Sequence, residues 1–247
     1  ELEQTAQLLR NVNDRLRAVD VQKDEFLSQV SHELRTPMTS IRSFSEILMD
    51  DQEITPDRRD HYVSIINDES IRLTRLLDEI LDVNRLEGGS TNLKLVPVTV
   101  DTAVVTALDT IAGVASKQGI RIDFTPGAGQ LNVLADTDRL HQVLINILSN
   151  AVKYNGAKAP EIVVRTDFVD RVIRIDVADN GGGVARENAG SVFEKFARGN
   201  QTDRSYGAGL GLPISRAIMR AMDGDLTIEF NHDDTSYFRL SLPQNTA

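Results

Sequence analysis

The chain has 247 residues, 26% of them charged, with a formal net charge of −10, no cysteine and no tryptophan. A chain of this length can bury a core without staples, and the missing cysteine excludes disulfides, thiolate metal sites and cysteine nucleophiles. Residues 1–90 carry 11 basic against 19 acidic side chains and the remainder 16 against 18, so no basic patch is available for nucleic acid and no such partner is expected. No run reaches the roughly 18 apolar residues of a membrane-spanning helix. The helical pattern is already under way at Glu1, which leaves room for an upstream part.

Residues 3–50 and 58–87 are almost free of glycine and proline. Leu9, Val12, Leu16, Val19, Phe26 and Val30 lie three, four or seven apart, as on one helix face, with Lys23 interrupting the seam. Met38, Ile41, Phe44 and Leu48 continue that face. After a polar turn containing Pro56, Ile66, Leu73 and Ile80 recur seven apart with Leu76 and Val83 beside them, and "RLEGGS" ends the run. One hairpin cannot bury so wide a stripe. Two can, as a four-helix bundle whose N-terminal segments pair as a parallel coiled coil. The patterning therefore predicts a homodimer, with a monomeric hairpin lying on the second domain as the alternative.

Near residue 93 the period changes. "LKLVPV" reads as extended, residues 101–118 as an amphipathic helix, and "GIRIDF" and "LNVLA" as short strands. Residues 137–154 read as a helix, and "PEIVVRTDF" and "RVIRIDVAD" as a pair of alternating strands. A glycine-rich stretch of about 25 residues, a helix through 211–222 and the strands "GDLTIEF" and "TSYFRLSL" complete the chain. The order predicts an α+β sandwich, a mixed or antiparallel sheet covered on one face by helices.

Chemistry concentrates in a few segments. "VADNGGGV" (177–184) sets an acid and then three glycines at a strand end, and "YGAGLGLPIS" (206–215) puts Gly207, Gly209 and Gly211 at the mouth of a helix. Neither matches a P-loop or a dinucleotide fingerprint. Glycines there still permit close backbone approach, and the free N–H groups and helix dipole favour phosphate. In "HQVLINILSNAVKYN" (141–155), Asn146 and Asn150 lie four apart on one face with Lys153 near them. Asparagine is a middling helix former, so the pair needs a reason: one amide can coordinate Mg²⁺ while its neighbour meets a phosphate oxygen, the alternative being a solvated face. Far upstream, "FLSQVSHELRTP" (26–37) places His32 beside Glu33 within a helix and ends on Pro37, where a kink is favoured.

Together these segments resemble the catalytic core of a sensor histidine kinase of two-component systems. "FLSQVSHELRTPMTSI" is similar to the H box of that family, "HQVLINILSNAVKYN" to its N box, "DNGGG" and "GAGLGL" to its glycine boxes, and "VFEKFARGN" to its F box. All five occur in order, and the resemblance runs from about residue 20 to 245. The fold it implies is an all-α helical hairpin forming a dimeric four-helix bundle, followed by an α+β sandwich of the gyrase/Hsp90/MutL (GHKL, or Bergerat) ATPase type. The implied domains are a signalling coiled-coil helix (1–22), a dimerisation and phosphotransfer domain (23–90) and an ATP-binding domain (91–247).

The resemblance also assigns roles. His32 matches the phosphoacceptor, Glu33 the group that polarises it or takes its proton, and Thr36 the position that orients a water in members with phosphatase activity. Asn146 matches the Mg²⁺ ligand, Asn150 and Lys153 the phosphate surroundings, Tyr154 a residue enclosing the nucleotide, and Asp179 the acceptor of the adenine amino group. Gly181 and Gly183 match the backbone positions beside it, Asn180 and Gly182 the variable ones. In the lid, Phe193 and Phe196 match apolar anchors and Lys195 and Arg198 phosphate contacts, while Gly207, Gly209, Leu210 and Gly211 begin the helix facing the triphosphate. Ala208 stands where Thr or Ser is common. ATP and Mg²⁺ are the implied cofactors. A response-regulator receiver domain and an upstream sensory domain are the implied partners. The segment itself would be cytoplasmic, with anchoring of the full-length protein in the inner membrane left open. The rivals are another GHKL-type ATPase and a dimeric pseudokinase scaffold. The other histidines (His61, His141 and His232) lack ligand spacing, so zinc is not expected.

Overall fold

Two helices form where glycine and proline are scarce, α1 over Leu2–Asp50 and α2 over Pro56–Glu87. The computed structural model describes residues 2–50, 54–87, 93–195 and 209–245 and divides into two units, Glu1–Ile80 and Leu81–Ala247. Pro56 opens α2 at the first helical position, where its missing N–H has no intrahelical partner to lose. Pro37 sits inside α1 and deprives the Glu33 carbonyl of its N–H partner without ending the helix. Phe44 and Tyr62 bring their rings to 5.1 Å and join the two helices.

Among its described residues the first unit buries the apolar side chains of Pro37 and Leu76, while Ile66, Leu73 and Ile80 are half-buried. Met38, expected on the apolar face, is 57% exposed, and Ile47, Val63, Ile71 and Leu77 are exposed as well. The stripe exists, then, but a single hairpin covers most of it only in part. The side chains of the expected seam through Leu9, Val12, Leu16 and Val19 lie outside the described set.

The second unit is built of short elements. They are β1 (Val96–Thr99), α3 (Val100–Lys117), β2 (Arg121–Thr125), β3 (Asn132–Ala135), α4 (Thr137–Lys153), β4 (Glu161–Val169) and β5 (Val172–Asp179). Two 3-10 turns, Arg186–Asn188 and Ser191–Phe193, follow, then α5 (Gly211–Ala221), β6 (Asp225–Phe230) and β7 (Ser236–Pro243). The main sheet runs β2-β4-β5-β7-β6, with β2 and β4 parallel and the other pairs antiparallel, and β1 and β3 form a separate antiparallel ribbon.

Alternation buries Ile162, Val164 and Thr166 of β4 and Ile173, Ile175 and Val177 of β5. The helices supply Leu140, Leu144, Ile147, Leu148 and Ile218, each at most 1% exposed and each contributing about 1.5–3 kcal/mol. Thr166 meets the cost of burying a hydroxyl by donating to Asp101 Oδ1 and accepting from the Gly127 and Ala128 amides. The β4–β5 turn uses Asp170 and Arg171 at φ 53° and 64°. That is the primed geometry the strand twist demands, made here without glycine.

Candidate functional site

In the helical unit the His32 side chain is 70% exposed, with Nδ1 3.8 Å from Oε1 of Glu33. Glu33 is itself only 8% exposed, and its Oε2 lies 3.9 Å from a guanidinium nitrogen of Arg72 on α2. Thr36 Oγ1 donates to the His32 carbonyl at 3.3 Å, so it sits one turn beyond the imidazole. A ring whose Nδ1–H is directed at a carboxylate presents Nε2 outward as a nucleophile.

The sandwich unit holds a second set. Asp136 caps α4, its Oδ1 accepting from the Arg139 amide at 3.1 Å. Burial alone would raise its pKa, but amide hydrogen bonds, those of Lys94 and Arg139 foremost, outweigh it and hold the carboxyl below its ordinary value. Asn146 follows on that helix, donating from Nδ2 to Ser215 Oγ at 2.8 Å. Its Oδ1 lies so close to α5 that a Cβ on Gly211 would approach it to 2.5 Å. A side chain at position 211 would therefore displace the Asn146 amide. Asn150 and Lys153 are half-buried farther along α4, and Lys153 Nζ stands 5.2 Å from the ring centre of Tyr154, the 42%-exposed cap residue.

Asp179 closes β5. Burial pushes its carboxyl pKa up, while the Gly181 amide, donating to Oδ1 at 2.9 Å, pulls it partly back. A Cβ at position 181 would lie 2.7 Å from that oxygen and 2.9 Å from the Tyr154 carbonyl, so the backbone passes where only glycine fits. Gly183 has φ +60° and packs on Ser236, whereas Gly182 is open on all sides. Asn180 accepts from the Glu161 amide and from Asn155 Nδ2 and donates to the Ala159 carbonyl. It pegs the turn to β4, although the resemblance made it a variable position.

Toward α5, the Arg216 guanidinium covers the Phe193 ring at 4.6 Å and reaches Asp225 at 3.0 Å. Burial would raise the Asp225 carboxyl, but hydrogen bonds from Arg216, Arg220 and the Leu226 amide hold it down to about 2. Phe193 is thereby tied, through Arg216, to a charge that persists at any physiological pH. Lys195 is exposed; Gly209 takes φ +71°; Leu210 is fully buried, so what it can offer a ligand is backbone. Helix α5 starts with no side-chain cap and no acid in its first turn, an arrangement that favours an anion. Phe196, Arg198 and Gly207 lie outside the described residues.

The structure therefore brings Asn146 against Gly211 and Ser215, and Asp179 against Gly181 and the Tyr154 carbonyl. Among the described residues no three His, Asp or Glu side chains converge on a metal position. Sequence reasoning missed Ser215, Arg216, Asp225 and Arg72. Of these, Ser215 alone had a visible signal, since it stands one turn after Gly211.

Residues 22–89 match the family model of the His Kinase A (phospho-acceptor) domain, and residues 135–246 that of the histidine kinase-, DNA gyrase B- and HSP90-like ATPase. The chain is 35% identical over 226 residues to the sensor protein KdpD of Escherichia coli K12, across 91% of this chain and 25% of that protein. Among solved structures, full-length ShkA in complex with AMPPNP superposes with a TM-score of 0.67 at 28% identity, over 90% of this chain and 46% of that one. The histidine kinase ThkA in complex with the response regulator TrrA gives 0.71 at 25% identity, over 90% and 61%. The chain spans between 19% and 51% of the lengths of curated relatives such as these. It carries the two domains of a sensor histidine kinase catalytic core, and it belongs to that family.

Proposed function

We propose that this chain autophosphorylates His32 from ATP and passes the phosphoryl group to an aspartate of a response-regulator receiver domain. The observation that carries the reading is an exposed imidazole whose Nδ1 faces the carboxylate of a buried neighbour. A packing histidine would be buried, and a solvated one would have no reason to stand beside a buried acid. Nε2 attacks the γ-phosphorus, the bond from phosphorus to the β-bridging oxygen breaks, ADP leaves, and Glu33 takes the Nδ1 proton. The catalytic demand is then positioning and charge stabilisation. Nε2–P cleavage by a receiver aspartate regenerates the imidazole.

The nucleotide side divides between Asp179, which would accept the adenine amino hydrogen beside the close backbone of Gly181, and the polar stripe of α4. With Nδ2 donating to Ser215 Oγ, Asn146 keeps its amide oxygen as the atom that would hold Mg²⁺. Magnesium when bound would neutralise phosphate charge. Asn150, Lys153, Tyr154, Phe193, Lys195 and the α5 entry would enclose the phosphates, with Phe196, Arg198 and Gly207 completing the lid. Thr36, one turn past His32, would orient a water for phosphatase action on the regulator.

The exposed apolar stripe of the hairpin supports a homodimer. An upstream sensory domain in a longer protein fits the partial coverage of the relatives, and the division at 1–22, 23–90 and 91–247 belongs to the same proposal. Among the described residues no helix is long and apolar enough to cross a membrane; a cytoplasmic place for this part is a further element of the proposal. A GHKL-type ATPase of another kind would leave the His32–Glu33 pair unused. Incubation with γ-labelled ATP tests the proposal: the protein should gain label that is lost in acid and survives alkali, as a phosphoramidate does. Acid-stable label, or none, rejects it.

A further inference from the structure

We propose that Arg72 is a positioning residue for phosphoryl transfer, holding the Glu33 carboxylate so that one oxygen stays turned to the His32 imidazole. The inference rests on the reading of His32 as phosphoacceptor. The two oxygens of Glu33 face different groups: Oε1 lies 3.8 Å from His32 Nδ1, and Oε2 lies 3.9 Å from a guanidinium nitrogen of Arg72. The other terminal nitrogen of Arg72 lies 3.6 Å from Oε2 of Glu69, one turn back on α2. The three side chains are largely shielded, at 10% exposure for Glu33, 24% for Glu69 and 25% for Arg72.

A shielded carboxylate needs a cation nearby, and Arg72 can serve Glu33 while leaving its second oxygen to the ring. Glu69 restrains Arg72 in turn. Its Oε2 is buried and takes no hydrogen bond, so what it offers the guanidinium is charge. All three separations exceed hydrogen-bond length, so Glu33 Oε1 must draw closer to Nδ1 to take its proton. As Nε2 bonds phosphorus the ring gains positive charge, Glu33 Oε1 closes on Nδ1–H and accepts its proton, and Arg72 stabilises the carboxylate until then. Arg72 touches neither phosphate nor imidazole in this scheme. It acts through Glu33.

The test is a double-mutant cycle on the whole chain, read as initial rates of acid-labile labelling at saturating ATP. Arg72→Met should slow labelling by about tenfold or more with the ATP KM unchanged, since general-base assistance contributes about 100-fold or more in full. Arg72→Lys, which keeps the charge, should restore the rate to within about threefold of the parent. In a Glu33→Gln background, Arg72→Met should cost less than about twofold, because no carboxylate is left to position. Circular dichroism and sedimentation check that each variant keeps the parental helix content and association. Should Arg72→Met not fold, Arg72→Gln replaces it in the same cycle. An equal loss with and without Glu33 overturns the inference and makes Arg72 merely structural, as does a labelling rate unaffected by either substitution. If the parent itself takes no acid-labile label, the reading of His32 fails and this inference with it.

Discussion

In the sandwich unit, Leu140, Leu144, Ile147 and Leu148 of α4 are each at most 1% exposed; in the helical unit, Ile71 and Leu77 of α2 are 52% and 46% exposed. Both helices are amphipathic, so composition does not explain the difference. A helix laid on a sheet has its apolar stripe covered from below, whereas two antiparallel helices cover only the part of each stripe that faces the other. Charge follows the same division. The sandwich pairs its partly shielded ions closely, Asp176 with Arg239 at 2.7 Å on neighbouring strands and Asp225 within a fork of two arginines. The hairpin gathers two sheltered acids, Glu33 and Glu69, around Arg72 at longer range. The sandwich buries a core between sheet and helices while still exposing Val105 and Val114 of α3. The hairpin buries two apolar side chains, Pro37 and Leu76, among its described residues and sets a shielded acid beside its exposed histidine.

Three experiments can break or sharpen that contrast. The largest effect should come from the core. Leu148→Ala should destabilise the sandwich unit by about 2–5 kcal/mol, and calorimetry should find that loss unchanged by protein concentration. The hairpin's melting should instead shift upward as concentration rises, as for any fold completed by association. Concentration-independent melting of both units would remove the case for a partner.

Next, Asn146→Ala should reduce labelling by about 100-fold, in the range for losing one preorganised electrostatic contact, with the helical content of the hairpin unchanged. Labelling within about threefold of the parent would take Asn146 out of the site. The smallest is Asp179→Asn, expected to weaken ATP binding by about 1.5–3 kcal/mol without loss of fold. Because burial raises the Asp179 carboxyl above the ordinary aspartate value, protonation on acidification should reach it earlier than an exposed aspartate. ATP affinity should therefore fall with pH sooner in the parent than in the Asn variant, as titration calorimetry across the acid range would reveal. Parallel profiles would assign the binding energy elsewhere.

What could be read from the chain beforehand follows from the range of the forces involved. Alternation in "EIVVRTDFV" and "VIRIDVAD" reveals β4 and β5 because pleating is local. The strand order β2-β4-β5-β7-β6, with one parallel pair, was invisible, since pairing joins residues far apart in sequence. The β4–β5 turn carries no glycine to announce it. Met38 shows the limit of periodicity: it lies on the apolar stripe, yet the chain alone has nothing to cover it with. At the site, Asn146, Asp179 and the glycines stood out because such residues are unusual for their elements. Ser215, Arg216 and Arg72 did not, being ordinary helix residues until folding sets Asn146, Phe193 and Glu33 against them.

The central claim is that the histidine receiving phosphate belongs to the hairpin and the groups binding ATP to the sandwich. It is tested most directly by labelling the His32→Gln chain with γ-labelled ATP while measuring its ATP affinity in parallel. The account predicts no acid-labile label and an affinity within about twofold of the parent, because the proposed nucleotide groups and His32 share no element. Mixing this variant with Asn146→Ala chains should bring label back if a subunit phosphorylates its partner, and none if it phosphorylates itself. His32→Gln protein that labels at the parental rate, with the same acid lability, would contradict the account.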